Sequence, residues 1–316
     1  MQNKEIYDLL IVGGGPSGMF AAYYAGMREL KTKVIESLSN LGGQINLMYP
    51  EKIIKDIGAI PKIKGKDLVS NLQEQMTRYP ADISMGEKVL DIKKEGDYFH
   101  IQSDKDSYYS RTVLLTTGQG IFEPRKLAIE HPLEYEKENL HYYVDSLKEY
   151  QDKKVTLLGG GDSAVDWAIM LESIAKEVNL VHRRDRFRAH EASVSQLKES
   201  SVQIITPYLL DEIIGDGKKI EKVRLKKRRA DKEILLDTDF LIVNYGFVSK
   251  SRQLDQWGIE NRANSALVNQ KMETNLPGIF AAGDAANFDG KVKLIASGFG
   301  EIPTVINSII HYLNIY

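Results

Sequence analysis

The apolar positions of this chain form short, uninterrupted runs, two of which lead into glycines and then into a stretch with helical spacing. The runs Tyr7–Val12 and Val155–Leu158 predict buried strands, and the pattern after the first predicts a helix over Met19–Leu30. A second apolar strand closes each unit, at Lys33–Ile35 and at Val178–Val181. Strand, turn, helix and strand in this order are typical of nucleotide-binding units. The pattern therefore predicts two such units in one chain.

The turn after the first strand of each unit has the spacing of a dinucleotide-binding motif. It is formed by Gly13, Gly15 and Gly18 in the first unit and by Gly159, Gly161 and Ala164 in the second. Small residues at these positions allow a tight turn and let the backbone approach a pyrophosphate, which lies at the N-terminus of the following helix. The motif is informative here because it stands between a predicted strand and a predicted helix. We therefore expect each unit to bind a dinucleotide.

The residues that follow the two second strands assign different nucleotides to the two units. Glu36 lies 18 positions after Gly18, and His182 lies 18 positions after Ala164. A carboxylate at this position accepts hydrogen bonds from ribose hydroxyls, whereas arginines suit a ribose that carries a 2′-phosphate. Two arginines follow His182 directly. We therefore assign FAD to the first unit and NADPH to the second.

Arg183 and Arg184 are the residues that would distinguish NADPH from NADH. At roughly 1.5–3 kcal/mol per charge-assisted hydrogen bond, two arginines would favour NADPH by about a hundredfold or more. The alternative is that these residues, with Arg186 and Arg188, form a solvated basic turn. The matching offset from the glycine motif favours the nucleotide-binding interpretation.

Weaker patterns predict the remaining elements. Gly65–Tyr79 has helical spacing, and Ile83–Ile92 and Tyr98–Ser103 alternate like strands of a small antiparallel sheet. Arg111–Thr117 is a buried-type strand that ends in glycines at a change of domain. The run Leu241–Phe247 mirrors it and is expected to be the return crossing.

These elements predict an α/β fold with two Rossmann-like, three-layer domains. The NADPH-binding domain (119–245) is expected to be inserted into the FAD-binding domain (1–118 and 246–316). A chain of 316 residues, 42% hydrophobic and 27% charged, agrees with two domains of ordinary composition.

Charge and hydropathy exclude several classes of protein. The net charge of −2 gives no indication of nucleic-acid binding. There is no apolar run of the roughly 18 residues needed to cross a membrane, and the short polar start, Met1–Glu5, does not resemble a signal peptide. We therefore expect a cytoplasmic protein that binds neither membrane nor nucleic acid.

The sequence contains no cysteine. It therefore cannot pass electrons through a redox-active cysteine pair, and it cannot hold an iron–sulfur cluster with its own thiolates. Electrons that reach FAD would have to leave directly from the flavin.

Several stretches outside the two turns are candidates to contact the flavin. The glycines before Gln44 let that loop approach the cofactor, and Tyr49 could lie flat on the isoalloxazine ring. Asp284 follows an apolar strand, where its carboxylate could bond the ribityl hydroxyls. The alternatives are a packed loop tyrosine and an aspartate that caps the next turn.

The stretch Gly298–Thr304 is expected to open the final helix, because Pro303 suits a helix start. The positive end of that helix would face the N1–O2 edge of the flavin, close to Thr304.

With these motifs in view, the chain resembles the pyridine nucleotide–disulfide oxidoreductases, and among them the thioredoxin reductase-like ferredoxin–NADP⁺ reductases of bacteria. The resemblance covers nearly the whole chain. It rests on GGGPSG at Gly13–Gly18, GGQ at Gly42–Gln44, the YPEK stretch from Tyr49 to Gly65, FEPRKL at Phe122–Leu127, GGGDSA at Gly159–Ala164, HRRDRFRA at His182–Ala189 and AAGD at Ala281–Asp284.

The resemblance implies a homodimer with one FAD per chain and assigns the cofactor contacts. FAD contacts fall on Ser17, Glu36, Gln44, Tyr49, Val89 beside the adenine, Phe122 and Asp284. NADPH contacts fall on the Gly159–Ala164 loop, with Asp162 and Ser163, on Arg183, Arg184 and Arg188, and at the position of His182. Many members carry a tail beyond the last helix that covers the second flavin face. The sequence ends at Tyr316, so that face is expected to be open or covered by another residue.

The reaction expected from this resemblance is hydride transfer from NADPH to FAD, followed by single-electron transfer to ferredoxin or flavodoxin. Alignment of the two rings suffices for hydride transfer, so no catalytic acid or base is expected, and His131 and His141 are interpreted as surface or capping residues. Alternative functions are an NADPH oxidase or diaphorase, and a redox-sensing flavoprotein without enzymatic activity.

Ferredoxins are usually acidic, so a basic docking surface is expected. The candidate residues are Lys222, Arg224, Lys226, Lys227, Arg228 and Arg229. The alternative is that they form the solvated face of a strand pair.

Overall fold

A computed structural model describes residues 5–118, 120, 122–144, 146–249 and 252–315. The chain divides into two compact units. Unit 1 runs to Phe122 and resumes at Ser249, and unit 2 is Glu123–Val248. The two units are described separately below.

Unit 1 is built on a mixed sheet whose central strand is the first strand of the chain. Its strands are β1 (Ile6–Val12), β2 (Thr32–Glu36), β3 (Ile53–Ile54), β4 (Ile63–Lys64), β5 (Asp82–Met85), β6 (Val89–Glu95), β7 (Tyr98–Ser103), β8 (Ser107–Leu115), β19 (Asn261–Arg262), β20 (Ser265–Leu267), β21 (Ile279–Ala281) and β22 (Ala286–Asn287). The main sheet has the order β5-β2-β1-β8-β7-β6, with β21 also pairing with β8. Strands β1, β2 and β8 are parallel, so their carboxyl ends lie at one edge.

The helices of unit 1 bury apolar faces against this sheet. They are α1 (Pro16–Met27), α2 (Gly43–Met48), α3 (Gly65–Met76), the short α7 (Gln253–Gln256) and α8 (Ile295–Leu313). The predicted apolar face of α3, which includes Leu68 and Leu72, is buried. In α8 the side chains of Ile302, Val305 and Ile306 are fully buried, and their 3–4-residue spacing is that of one helix face.

Two expectations for unit 1 are wrong. The final helix begins at Ile295 rather than at Gly298, so Pro303 lies inside it and Thr304 is exposed in its middle. Burial of the isoleucine face offsets the hydrogen bond that Pro303 cannot donate. The stretch 83–92 is not one strand, because Gly86 turns with φ of +63° between β5 and β6. The two strands lie at opposite edges of the main sheet.

Unit 2 contains a parallel sheet and an antiparallel sheet. Its strands are β9 (Phe122–Pro124), β10 (Leu140–His141), β11 (Lys154–Gly159), β12 (Glu177–Val181), β13 (Gln203–Ile205), β14 (Tyr208–Gly215), β15 (Ile220–Lys227), β16 (Glu233–Asp237), β17 (Phe240–Asn244) and β18 (Phe247–Ser249). The parallel sheet has the order β10-β17-β11-β12-β13, and the antiparallel sheet has the order β14-β15-β16. Strands β9 and β18 pair where the chain passes between the units.

The helices of unit 2 are α4 (Leu133–Glu138), α5 (Asp162–Glu172) and α6 (Glu191–Glu199). Strands β13 and β14 are separated by Thr206 and Pro207, because Pro207 has no N–H to donate to a strand ladder. Among the residues whose structure is described, no helix is long and apolar enough to cross a membrane.

Candidate dinucleotide-binding sites

In unit 1 the turn between β1 and α1 is held by backbone contacts that only glycine permits. Gly13 has φ of +107°, and a Cβ atom there would lie 2.6 Å from the carbonyl oxygen of Thr116. A Cβ on Gly18 would lie 1.9 Å from the carbonyl oxygen of Gly13. The Thr116 hydroxyl donates to that same oxygen at 2.7 Å. Helix α1 can therefore approach the carboxyl end of the sheet closely.

The middle glycine of the motif faces open space. At Gly15 the nearest atom to an added Cβ would be the Cα of Gly43, at 4.0 Å. Pro16 occupies the first helical position, and no side chain caps the helix. The first N–H groups of α1 therefore point into this space, as a pyrophosphate requires. The residues present fit the adenosine diphosphate part of a dinucleotide.

Glu36 ends β2 as expected and closes the turn from the other side. It is 5% exposed. One carboxylate oxygen accepts the Gly14 N–H at 2.7 Å, and the other accepts the N–H of Leu38 at 2.8 Å and the hydroxyl of Ser37 at 3.1 Å. A carboxylate has about four acceptor positions. Glu36 therefore organises the turn and retains limited acceptor capacity for a ribose.

Ser17 lies where three elements meet. A Cβ on Gly283 would lie 2.5 Å from its hydroxyl oxygen, and a Cβ on Gly298 would lie 2.6 Å from it. Gly283 begins a single 3₁₀ turn that contains Asp284, and Gly298 is in the first turn of α8. The first turns of α1 and α8 are thus brought to the Asp284 turn.

Tyr49 and Asp284 lie close to each other although they are far apart in sequence. Burial, followed by the negative charges of Asp284 and Asp56, raises the pKa of Tyr49 to about 12. The Asp284 side chain makes no hydrogen bond or ion pair with any residue described in the structure. Its carboxylate is therefore free to accept ligand hydroxyls. Gln44, in α2, extends its amide to within reach of position 118.

Two expected FAD contacts are placed differently from these, and the side chain of a third lies outside the described residues. The Val89 side chain is 3% exposed in a hydrophobic core, although the neighbouring Glu87 N–H donates to the Glu36 carbonyl at 2.9 Å. Thr304 is exposed in the middle of α8 and does not lie at its start. The side chain of Phe122 is outside the described part of the chain.

In unit 2 the turn between β11 and α5 repeats the packing of the first turn. A Cβ on Gly159 would lie 2.6 Å from the carbonyl oxygen of Asn244 and 2.8 Å from the Cβ of Ala164. A Cβ on Gly160 would lie 2.3 Å from the His182 ring. Gly161 faces open space, with no atom within 4 Å of such a Cβ. The residues of this turn therefore also fit a dinucleotide.

The basic segment after β12 folds back onto this turn. The Arg188 N–H donates to the Gly160 carbonyl at 2.6 Å, and the His190 N–H donates to the Asp162 carboxylate at 2.9 Å. Asp162 therefore holds the segment in place, while Ser163 is exposed at the start of α5. The spacing of residues in the sequence does not predict that the segment after β12 contacts the turn between β11 and α5.

Arg183, Arg184 and Arg188 are exposed around the turn. None of them makes an ion pair with a residue that the structure describes, so their charges are not neutralised. Burial, and then these arginines, hold the pKa of His182 below its usual range. The neutral imidazole stacks on Phe187 with ring centroids 5.4 Å apart. His182 therefore shapes the turn, and the arginines supply the positive charge.

The two histidines set aside as non-catalytic have local partners. His131 bonds the Ile129 carbonyl at 2.7 Å and Glu136 at 3.3 Å. His141 bonds the Tyr150 hydroxyl at 2.6 Å. Neither contacts the nucleotide turns through these bonds.

One feature of the site was missed in the sequence. Glu301 interrupts the apolar face of α8, is 8% exposed, and pairs with Lys291. A charged residue among buried positions of a helix was the available signal, because such residues are rarely buried without a partner.

Comparisons with known proteins agree with this geometry. A family model described as "Pyridine nucleotide-disulphide oxidoreductase" matches residues 7–308. The chain is 49% identical to ferredoxin–NADP reductase 2 of Bacillus thuringiensis (strain Al Hakam), over 99% of this chain and 95% of that protein. It is 50% identical to the ferredoxin–NADP reductase of Halalkalibacterium halodurans, over 97% of this chain and 93% of that protein.

Solved structures give the same architecture. The fold is similar to T. acidophilum thioredoxin reductase, with a TM-score of 0.85, 26% identity and coverage of 98% of this chain and 99% of that one. It is also similar to Lactococcus lactis thioredoxin reductase in its FR conformation, with a TM-score of 0.84, 27% identity and the same coverage. The expected α/β fold with two Rossmann-like domains is confirmed.

The raised pKa of Tyr49 predicts a specific pH dependence of folding. In the nucleotide-free protein the folded state keeps the phenol proton between pH 10.0 and about 12, where the unfolded chain releases it. Stability therefore falls as pH rises through this window, by about 1.4 kcal/mol per pH unit from this group. Urea unfolding at successive pH values should give a shallower decline for Tyr49→Phe. Tyr79→Phe is the control for an exposed phenol, and equal slopes for wild type and Tyr49→Phe would contradict the prediction.

Proposed function

Because this chain belongs to the pyridine nucleotide-disulphide oxidoreductase family, we propose that it is a ferredoxin–NADP⁺ reductase, an FAD-dependent enzyme that moves electrons between NADPH and ferredoxin or flavodoxin. Its similarity over nearly the full chain to proteins named ferredoxin–NADP reductase supports this reaction. The observation that carries the proposal is the pair of glycine turns. One is closed by a carboxylate, and the other is surrounded by arginines that form no ion pair with a described residue.

We assign FAD to unit 1 and NADPH to unit 2. In unit 1 the open space at Gly15, the carboxylate of Glu36 and the free carboxylate of Asp284 suit a ligand rich in hydroxyl groups. In unit 2 the exposed guanidinium groups of Arg183 and Arg184 suit a 2′-phosphate. FAD, when bound, supplies the ability to accept a hydride and to release electrons singly.

The complete absence of cysteine separates this chain from its structural neighbours named thioredoxin reductase. Reduction of a disulfide by a cysteine pair of the same chain is not possible. The residues of unit 1 therefore have to bind and orient FAD so that it exchanges electrons with an external carrier. No acid or base needs to act in hydride transfer, so the side chains described here act through binding and orientation.

We propose that the carrier docks on the basic end of the β14–β15–β16 sheet. Lys222 and Arg224 are already paired, with Asp237 at 3.3 Å and with Glu212 at 2.6 Å. The other four candidates, Lys226, Lys227, Arg228 and Arg229, line a depression of ≈ 520 Å³ together with Leu209, Leu210, Asp211, Ala230 and Asp231. None of the four has an ion-pair partner among the described residues. These four cations outnumber the two aspartates of the depression, and an excess of positive charge suits an acidic protein.

We further propose that the protein is a homodimer, as the family resemblance implies. We also propose that it is cytoplasmic, because NADPH and ferredoxin are cytoplasmic reactants. Light scattering should give about twice the chain mass of 35.7 kDa; a monomer would remove this part of the proposal.

The proposed function is tested by NADPH-driven reduction of ferredoxin by the FAD-loaded protein, with cytochrome c as the final acceptor and a ferredoxin-free blank. We expect the rate to depend strongly on ferredoxin or flavodoxin. Equal rates without a carrier protein would indicate an oxidase or diaphorase. If NADPH reduced neither ferredoxin nor cytochrome c, the remaining interpretation would be a redox-sensing flavoprotein.

Arg183→Ala/Arg184→Ala should abolish the preference for NADPH, since loss of two charge-assisted bonds corresponds to about a hundredfold or more in kcat/KM for NADPH. The rate with NADH should change little. Arg186→Ala removes one charge from the same segment and is the matched control. An unchanged NADPH/NADH ratio in the double variant would contradict the assignment of the arginines.

Lys226→Glu/Lys227→Glu should raise the KM for ferredoxin about tenfold at low salt, because it reverses two charges on the proposed docking surface. The effect should shrink at high salt as the charges are screened. Lys148→Glu/Lys153→Glu makes the same charge change at exposed positions elsewhere in unit 2. Equal effects of the two double variants would place the docking surface elsewhere.

A further inference from the structure

The 3₁₀ turn that carries Asp284 is held on both flanks by side chains from other elements. The Gly283 N–H donates to Glu301 Oε2 at 2.8 Å. The carbonyl of Asp284 accepts the Ser265 hydroxyl at 2.8 Å. Gly283 has φ of +66° and packs against Ser17. These two bonds therefore fix a glycine-dependent turn beside the first turn of α1.

Both of those side chains are in turn bound by lysines from one short segment. Lys291 Nζ contacts Glu301 Oε1, and Lys293 Nζ donates to the Ser265 hydroxyl at 3.0 Å. The segment between β22 and α8 thus places its two lysines on opposite flanks of the turn. The Lys291 side chain is buried, whereas Lys293 is exposed and reaches the turn from its outer side. Burial of a lysine side chain against Glu301 is the unusual feature of this segment.

The Lys291–Glu301 pair is deeply buried. The side chains are 4% and 9% exposed. Stability does not require such a pair, because removing two charges from water costs about as much as their attraction returns. What an apolar pair could not do is accept the Gly283 N–H. The pair therefore serves geometry, since one Glu301 oxygen accepts the Gly283 N–H and Lys291 compensates the buried charge of Glu301.

The charges around the turn are close enough to influence one another. Burial lowers the pKa of Lys293, the negative charge of Asp284 opposes this effect, and the positive charge of Lys291 adds to it. Asp284, Lys291 and Lys293 therefore share one electrostatic environment, in which the Glu301 carboxylate balances Lys291. Any ligand group beside Asp284 would experience the sum of these charges.

We propose that Lys291 is a positioning residue for FAD, which holds the Gly283–Asp284 turn through Glu301 and cancels the Glu301 charge beside the flavin. This inference rests on the assignment of FAD to unit 1. The carboxylate of Asp284 is thereby kept in place for the ribityl hydroxyls. The neutral pair leaves the partial positive charge at the start of α8 unopposed.

The test uses two single variants with opposite expected effects. Lys291→Met leaves a buried, uncompensated carboxylate, so FAD should bind the apoprotein about tenfold or more weakly and the flavin midpoint potential should become more negative. Glu301→Gln keeps an oxygen that can accept the Gly283 N–H but leaves Lys291 unbalanced. Its potential should become more positive, with FAD affinity less affected.

The double variant Lys291→Met/Glu301→Gln should return the potential towards the wild-type value. Lys31→Met removes a lysine from an exposed ion pair with Glu5, 2.8 Å long, and should change neither quantity. FAD affinity is measured by flavin fluorescence on adding FAD to the apoprotein, and the potential by dye-linked anaerobic titration. If Lys291→Met does not fold, the positive shift of Glu301→Gln still tests the proposal.

Shifts of the same sign in the two single variants, or wild-type values in Lys291→Met, would overturn the inference. These outcomes are independent of electron transfer to ferredoxin. A wild-type protein that binds FAD but does not reduce ferredoxin would contradict the proposed function and leave the positioning role to be judged by the potentials alone.

Discussion

The close approach of a helix to the carboxyl end of a strand is the steric constraint on which both nucleotide sites depend. In unit 1 it requires that position 18 have no side chain, since a Cβ there would lie 1.9 Å from the Gly13 carbonyl oxygen. In unit 2 a Cβ at Gly159 would lie 2.8 Å from that of Ala164. Because each helix can come this close, its free N–H groups reach a pyrophosphate.

Electrostatics then distinguishes two sites that share one geometry. Glu36 is buried and directs its carboxylate at the backbone of its own turn. At the corresponding place in unit 2, His182 is kept neutral and packs against Gly160, while the arginines beyond it stay exposed and unpaired with any described residue. One site therefore presents a carboxylate and the other presents positive charge. The same fold can therefore suit either a ribose with free hydroxyls or a ribose that carries a 2′-phosphate.

The sequence predicted the parts of the fold that depend on local chemistry. Glycine spacing predicted both turns, because the contacts that exclude a side chain at Gly13, Gly18 and Gly159 come from the same turn or from one neighbouring strand. The start of α8 was missed because Leu294 precedes it without a capping side chain, and Pro303 gave a false signal. The break at Gly86 was missed because one glycine in an alternating run does not specify a change of sheet edge.

Long-range pairing could not be predicted at all. The bond from the His190 N–H to Asp162 and the pair between Lys291 and Glu301 join residues that the linear pattern does not connect. Each of these two interactions holds a loop against a turn of a proposed nucleotide site. The interactions that the sequence did not predict are therefore those that position the predicted residues. Sequence motifs therefore predict the groups that contact the ligand more readily than they predict the groups that hold those contacts in place.

The most direct test of the two-site account is a single anaerobic mixing of the FAD-loaded protein with one equivalent of NADPH or of NADH, followed by flavin absorbance. The account predicts that NADPH bleaches the flavin rapidly and that NADH does so far more slowly, because only NADPH carries the 2′-phosphate for which we propose the arginines of unit 2 as ligands. Bleaching by the two nucleotides at the same rate, or no bleaching by NADPH, would contradict it.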